Sequence, residues 1–149
     1  MAKIELDKVY EFKIKNYSFG DLSTTEMNEI YKDGRVASHL LEPQLVCWFP
    51  ELTHVKGCKD HDHIDKGGQK YDAKNFTKRG MQFRPSNQIG TGRTFDYDAM
   101  VEKADGMIYI ACDIVDFPHV QVVFKKGMDL VEEYPDGKVP KGKRKVLFS

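Results

Sequence analysis

The constraint that most narrows the fold is a pair of apolar runs, MIYIACDIV at residues 107–115 and HVQVVFKKG at residues 119–127, separated only by Asp116, Phe117 and Pro118. Runs this short, rich in Ile, Val and Phe and divided by a proline-containing break, read as two consecutive strands. Helices are spelled out elsewhere. STTEMNEIYKDG, residues 23–34, starts with a capping-box pattern, Ser23 followed three positions later by Glu26, and predicts a helix that breaks near Gly34. VASHLLEPQLVCWF, residues 36–49, predicts a helix up to Pro43, with Val36, Leu40 and Leu41 at core spacing. KVYEFKIKNY (8–17), in which Val9, Phe12 and Ile14 alternate only loosely, reads as a strand or as the start of a dimer arm; QKYDAKNF (69–76) reads as a strand preceded by a Gly67-Gly68 turn, and DYDAMVEKAD (96–105) as a short helix. Strands and helices mixed in this way predict an α/β or α+β fold with a central mixed sheet flanked by helices.

A length of 149 residues suits one domain, and 40% hydrophobic with 31% charged residues describes a globular chain without an apolar run that could span a bilayer. The opening MAKIELDKVYEF lacks the uninterrupted apolar stretch of a secretory signal. Cys47, Cys58 and Cys112 are odd in number and widely spaced, which fits reduced thiols better than a disulfide framework. The expectation is a cytoplasmic, intracellular protein with no membrane partner.

A formal net charge of zero argues against a histone-like, non-specific binder of nucleic acid. The charges are nevertheless segregated. Residues 66–93 hold Lys66, Lys70, Lys74, Lys78, Arg79, Arg84 and Arg93 against Asp72 alone, whereas residues 94–118 hold six acids against Lys103. KVPKGKRK, residues 138–145, adds five cations. A basic face on a neutral protein suits a polyanionic partner.

HDHIDKGGQKYDAK, residues 61–74, concentrates the chemistry. In a strand, alternate side chains share a face, so Asp72 and Lys74 lie side by side. The Gly67-Gly68 turn could bring Asp62 back to Asp72, giving two carboxylates and an ammonium around one point. Hard oxygen ligands of this kind suit Mg²⁺, which takes one or two protein carboxylates and keeps several waters. Acid-x-Lys recurs at Glu11-Phe12-Lys13 and Asp136-Gly137-Lys138, but only Asp72-Ala73-Lys74 combines a strand with an acid at a suitable upstream distance.

Asp62, nine residues, then Asp72-Ala73-Lys74 resembles the active-site signature of the PD-(D/E)XK nuclease superfamily. Asp65, Gly68, Gln69 and Tyr71 add a likeness to its PvuII-like type II restriction endonucleases. No proline precedes Asp62, and the second acid is Asp where Glu is commoner. The downstream order of basic loop, short helix and apolar strand is also similar; residues 1–50 carry no part of the likeness.

The resemblance implies a restriction-endonuclease-like core and a Mg²⁺-dependent, sequence-specific endonuclease acting on double-stranded DNA, a type II site-specific deoxyribonuclease working as a homodimer. Asp62 and Asp72 would hold the metal with the Ala73 carbonyl, and Lys74 would orient or activate the attacking water. Such proteins often add an acid from a helix before the sheet, for which Glu42 is the candidate. The whole of 1–149 is expected to be a single nuclease domain. Within it, 1–50 would serve dimerisation, with Leu40, Leu41, Leu45, Val46, Trp48 and Phe49 as its apolar surface. Residues 51–126 would form the catalytic core and DNA-recognition loop, and 127–149 a basic tail.

Recognition is expected in TKRGMQFRPSNQIGTGR, residues 77–93. Arg84, Asn87, Gln88 and Arg93 are candidates for base edges, and Lys78, Arg79 and Ser86 for the phosphate backbone. Three alternatives stay open: a homing endonuclease or a junction resolvase of the same fold, or a non-catalytic DNA- or metal-binding module. A zinc reading draws on His54, Cys58, His61 and His63, residue types that zinc favours but at crowded spacing.

Overall fold

The computed structural model describes residues 3–57 and 60–149. In chain order the elements are β1 (Val9–Lys13), α1 (Thr24–Lys32), α2 (Ala37–Trp48), β2 (Thr53–His54), β3 (His63–Ile64), β4 (Lys70–Phe76), β5 (Met81–Gln82), α3 (Tyr97–Ala104), β6 (Met107–Asp113), β7 (His119–Lys126), α4 (Gly127–Glu133), β8 (Lys138–Val139) and α5 (Arg144–Leu147). Short 3-10 turns cover Ser86–Gln88 and Lys141–Lys143. The predicted capping box is present: Glu26 N–H donates to Ser23 Oγ, and Ser23 N–H donates to the Glu26 carboxylate, both at 3.1 Å.

Six strands form a mixed sheet in the order β1-β7-β6-β4-β3-β2, with β5 and β8 paired as a separate ribbon. β4 and β6 run parallel, and the other neighbours are antiparallel. Parallel neighbours require a crossover, which here passes through β5 and α3.

Both faces of the central strands are covered, which explains why β6 reads as an unbroken apolar run. On one face, Leu41, Leu45 and Phe49 of α2 and its end pack on Tyr71, Ile110, Val122 and Phe124. On the other, Met100 and Ala104 of α3, Leu130 and Val131 of α4 and Leu147 of α5 pack on Tyr109, Ala111 and Val123. Each fully buried side chain of this size contributes about 1.5–3 kcal/mol. The alternation of β4 sets up the site: Tyr71 and Ala73 turn to the α2 face, and Asp72, Lys74 and Phe76 turn to the α3 face.

Three expectations change. α2 runs through Pro43 to Trp48. Burial of Leu41 on one side of the proline and Leu45 on the other holds the helix together despite the lost N–H. Burial likewise places Leu41, Leu45 and Phe49 in the protein's own core and not on a dimer surface; the exposed large apolar side chains of this region, among the described residues, are Leu6, Phe19, Leu22, Ile30, Val36 and Leu40. The basic tail expected at 127–149 is a folded segment, forming α4, β8 and α5 and burying Leu147 and Phe148. Cys47 and Cys112 are free thiols, while Cys58 lies outside the described residues. Among the described residues, no helix is long and apolar enough to cross a membrane.

Candidate active site

The hairpin from β3 to β4 builds the site. Asp65 closes its turn, accepting from Gly67 N–H at 2.9 Å and Gln69 N–H at 3.0 Å through one carboxylate oxygen. Its other oxygen accepts from the Tyr71 hydroxyl at 2.9 Å. Asp62 stands just before β3 and continues the pairing, its N–H donating to the Tyr71 carbonyl at 2.9 Å. Its side chain then accepts from Ala73 N–H at 2.9 Å. A strand residue turns its N–H and C=O to the same neighbour, so the Ala73 carbonyl leaves along the edge where Asp62 lies.

Asp72 projects to the other side of β4, 5% exposed. Lys74 Nζ lies 3.2 Å from Asp72 Oδ2, and Lys103 Nζ, arriving from α3, lies 3.3 Å from the same atom. Neither ammonium is aligned for a hydrogen bond, so Oδ2 is a buried acceptor without a regular donor. The carboxyl of Asp62 also lies close enough to that of Asp72 for each to shift the other's ionisation.

These contacts push the two acids apart in ionisation. Burial, then the contact with Asp72 and its charge, push Asp62 up to about 8, with a smaller push from Glu42 and an opposing pull from Ala73 N–H. Burial also opposes ionisation of Asp72, but Lys74, the contact with Asp62 and Lys103 together outweigh it and hold Asp72 below the usual carboxylate range. One proton shared between two crowded carboxyl groups is what their proximity dictates. Directly opposite Asp72 on β6 is Tyr109, whose buried hydroxyl has no hydrogen-bond partner among the described residues.

Glu42 sits at the margin, 3.8 Å from His54 Nε2 and near enough to Asp62 to raise its pKa. Among the described residues, no three His, Cys, Asp or Glu side chains converge as a ready-made metal cluster. Asp62 and Asp72 nevertheless fit Mg²⁺, which needs only one or two carboxylates beside its waters. The donors are hard oxygens, the type of ligand that Mg²⁺ takes.

The zinc set is divided. His63 is buried and its Nε2 lies 2.7 Å from the Glu42 carbonyl, while His61 Nδ1 lies 3.2 Å from Asp60. Burial lowers the pKa of His63, which favours a neutral ring. His54 and His63 have ring centroids 5.2 Å apart, and Cys58, the thiol of the set, lies outside the described residues.

The recognition candidates also separate. Lys78, Arg79, Ser86, Asn87 and Arg93 are exposed. Gln88 is a correction: it is buried, and its Oε1 accepts from Asp96 N–H at 3.0 Å, fastening the start of α3. Arg84 is half-buried, stacks 4.1 Å from the Phe95 ring centroid and donates to the Asp136 carbonyl at 2.6 Å. Packing claimed both because the loop must be tethered to α3 and to the C-terminal segment. That segment reaches the loop through the β5–β8 ribbon, which sets Lys138 opposite Gln82. The two segments, far apart in sequence, are thereby neighbours at Met81–Gln82 and Lys138–Val139.

Lys103 escaped the motif reading. Its only signal was its position as the single cation among the six acids of residues 94–118.

No protein-family model, curated protein or solved structure matches this chain.

Proposed function

We propose that this protein is a Mg²⁺-dependent endonuclease that hydrolyses phosphodiester bonds in double-stranded DNA with sequence specificity, in the manner of a type II restriction enzyme. The observation that carries the reading is the meeting of Asp62 and Asp72 beside Lys74. A carboxylate pair crowded enough to share a proton is an arrangement that a divalent cation relieves. A helix-flanked mixed sheet agrees with the restriction-endonuclease-like core that the PD-(D/E)XK resemblance implies.

Asp62, Asp72 and the Ala73 carbonyl would hold the ion. When bound, Mg²⁺ supplies Lewis-acid polarisation of the phosphate and a more acidic water. Lys74 places its ammonium beside Asp72, where it orients the attacking water and offsets charge growing on the phosphorane. Glu42 adds negative charge at the rim. Lys78 and Arg79 would grip phosphates, and Ser86, Asn87 and Arg93 face outward for contact with the duplex. Such a site cuts one strand, so a homodimer completes the reading. The exposed Phe19, Leu22, Ile30, Val36 and Leu40 offer its contact surface. A plasmid-nicking assay with and without Mg²⁺, run beside Asp72→Ala, tests the activity. Equal nicking by both proteins ends the proposal.

A further inference from the structure

The motif supplies one lysine to the carboxylate pair, but the fold supplies two. Lys103 Nζ is 3.3 Å from Asp72 Oδ2, almost the distance of Lys74, and its side chain is 16% exposed. Lys103 makes no other ion pair among the described residues. Two ammonium groups on one carboxylate oxygen exceed what neutralising Asp72 requires, and they repel each other. The second charge becomes favourable once further negative charge enters.

An entry for that charge adjoins Lys103. A cleft of about 620 Å³ lies between Pro85–Gln88 and α3, and among the described residues Lys103 is the cation on its wall, with Asp60 and Glu102 also lining it. The lysine therefore spans from the buried carboxylate to the space beside the recognition loop. Its helix is held by that loop: Asp96 caps α3 by accepting from Ala99 N–H at 3.1 Å, and Gln88 holds Asp96 N–H at 3.0 Å.

We propose that Lys103 is a second catalytic lysine, which stands on Asp72 until DNA arrives and then binds a non-bridging oxygen of the phosphodiester being cleaved. The inference rests on the nuclease reading above. A lysine ammonium is a compact point charge suited to a phosphate oxygen, and its attraction grows as charge accumulates in the transition state. Lys103 takes no part in bond making or proton transfer; it neutralises charge while water attacks and the leaving oxygen departs.

The test compares wild type, Lys103→Met and Lys103→Arg in Mg²⁺, measuring kcat and KM on duplex DNA, thermal melting, and DNA binding in Ca²⁺. Lys103→Met is expected to lower kcat roughly 100-fold with little change in KM or duplex binding, the scale of a lost transition-state donor. Lys103→Arg is expected to recover part of that loss. Wild-type kcat in Lys103→Met overturns the inference and leaves the nuclease reading standing. Equal losses in both variants, matched by a fall in melting temperature, show a structural lysine and also overturn it. Failure of the wild-type protein to cut DNA with any divalent cation sinks the nuclease reading itself.

Discussion

The amide of Ala73 donates to the carboxylate of Asp62 at 2.9 Å across a separation of eleven residues. The bond replaces a backbone partner for Ala73, since the β3–β4 ladder runs only to His63 opposite Tyr71 and is extended by the single Asp62 N–H to the Tyr71 carbonyl. A side chain thus finishes the edge of the sheet, and doing so parks one acid against another.

Removing either acid or the lysine beside them is expected to abolish Mg²⁺-dependent cleavage. Asp62→Ala, Asp72→Ala and Lys74→Ala should each reduce the rate by about 100-fold or more, measured by plasmid nicking, while circular dichroism remains native. Asp72→Ala should also tighten binding to DNA in Ca²⁺, because it removes a carboxylate that repels the phosphate. Retention of full activity by Asp72→Ala contradicts the assignment.

Ionisation of Asp62 makes the metal-free protein less stable as pH rises. An unfolded aspartate titrates near its ordinary value, whereas the folded Asp62 keeps its proton up to about 8. Between these limits the folded state binds more protons than the unfolded state, so stability falls with increasing pH. Above about 8 the loss is complete. Asp62→Asn mimics the protonated acid, and the stability of wild type relative to this variant should decline across that window. Mg²⁺ should raise the melting temperature of wild type more at pH 8.5 than at pH 6. A flat difference across the window refutes the shared-proton pair.

Within the recognition loop, exposed and buried side chains should respond differently. Asn87→Ala and Arg93→Ala are expected to cost roughly 1–3 kcal/mol on a matched duplex and to narrow the preference over scrambled DNA. Lys78→Ala and Arg79→Ala should weaken all duplexes alike and reduce the salt dependence by about one counterion each. Gln88→Ala should instead destabilise the fold by about 1–3 kcal/mol through the unpaired Asp96 amide. Binding in Ca²⁺ at two salt concentrations, with thermal melts, separates these outcomes.

The β5–β8 ribbon gives a further stability test. Gly80 has φ +92°, and a Cβ there would meet the Val139 carbonyl and the Lys141 amide. Gly80→Ala combines backbone strain with a clash against a rigid segment, so a loss above about 1 kcal/mol is expected in chemical denaturation. Wild-type stability in Gly80→Ala would mean that the C-terminal segment is not docked on this turn.

Local signals were legible in the residues themselves. Ser23 and Glu26 specify a helix start because both bonds close within one turn. The Gly67-Gly68 turn and the alternation of Asp72 and Lys74 are likewise short-range, as are the β6 and β7 strands. Periodicity and turn chemistry decide such features before distant segments meet. Tertiary structure decided the rest. Burial of Leu41 and Leu45 carried α2 past Pro43, and the need to fasten α3 drew Gln88 inward. Lys103 reached Asp72 only because the parallel crossover laid α3 over β4 and β6. The sequence by itself determined which chemical groups adjoin within one hairpin, since their spacing and their partners are local. Only the fold decided which distant charge completes that hairpin, because packing of whole elements, summed over many buried contacts, sets where a helix comes to rest.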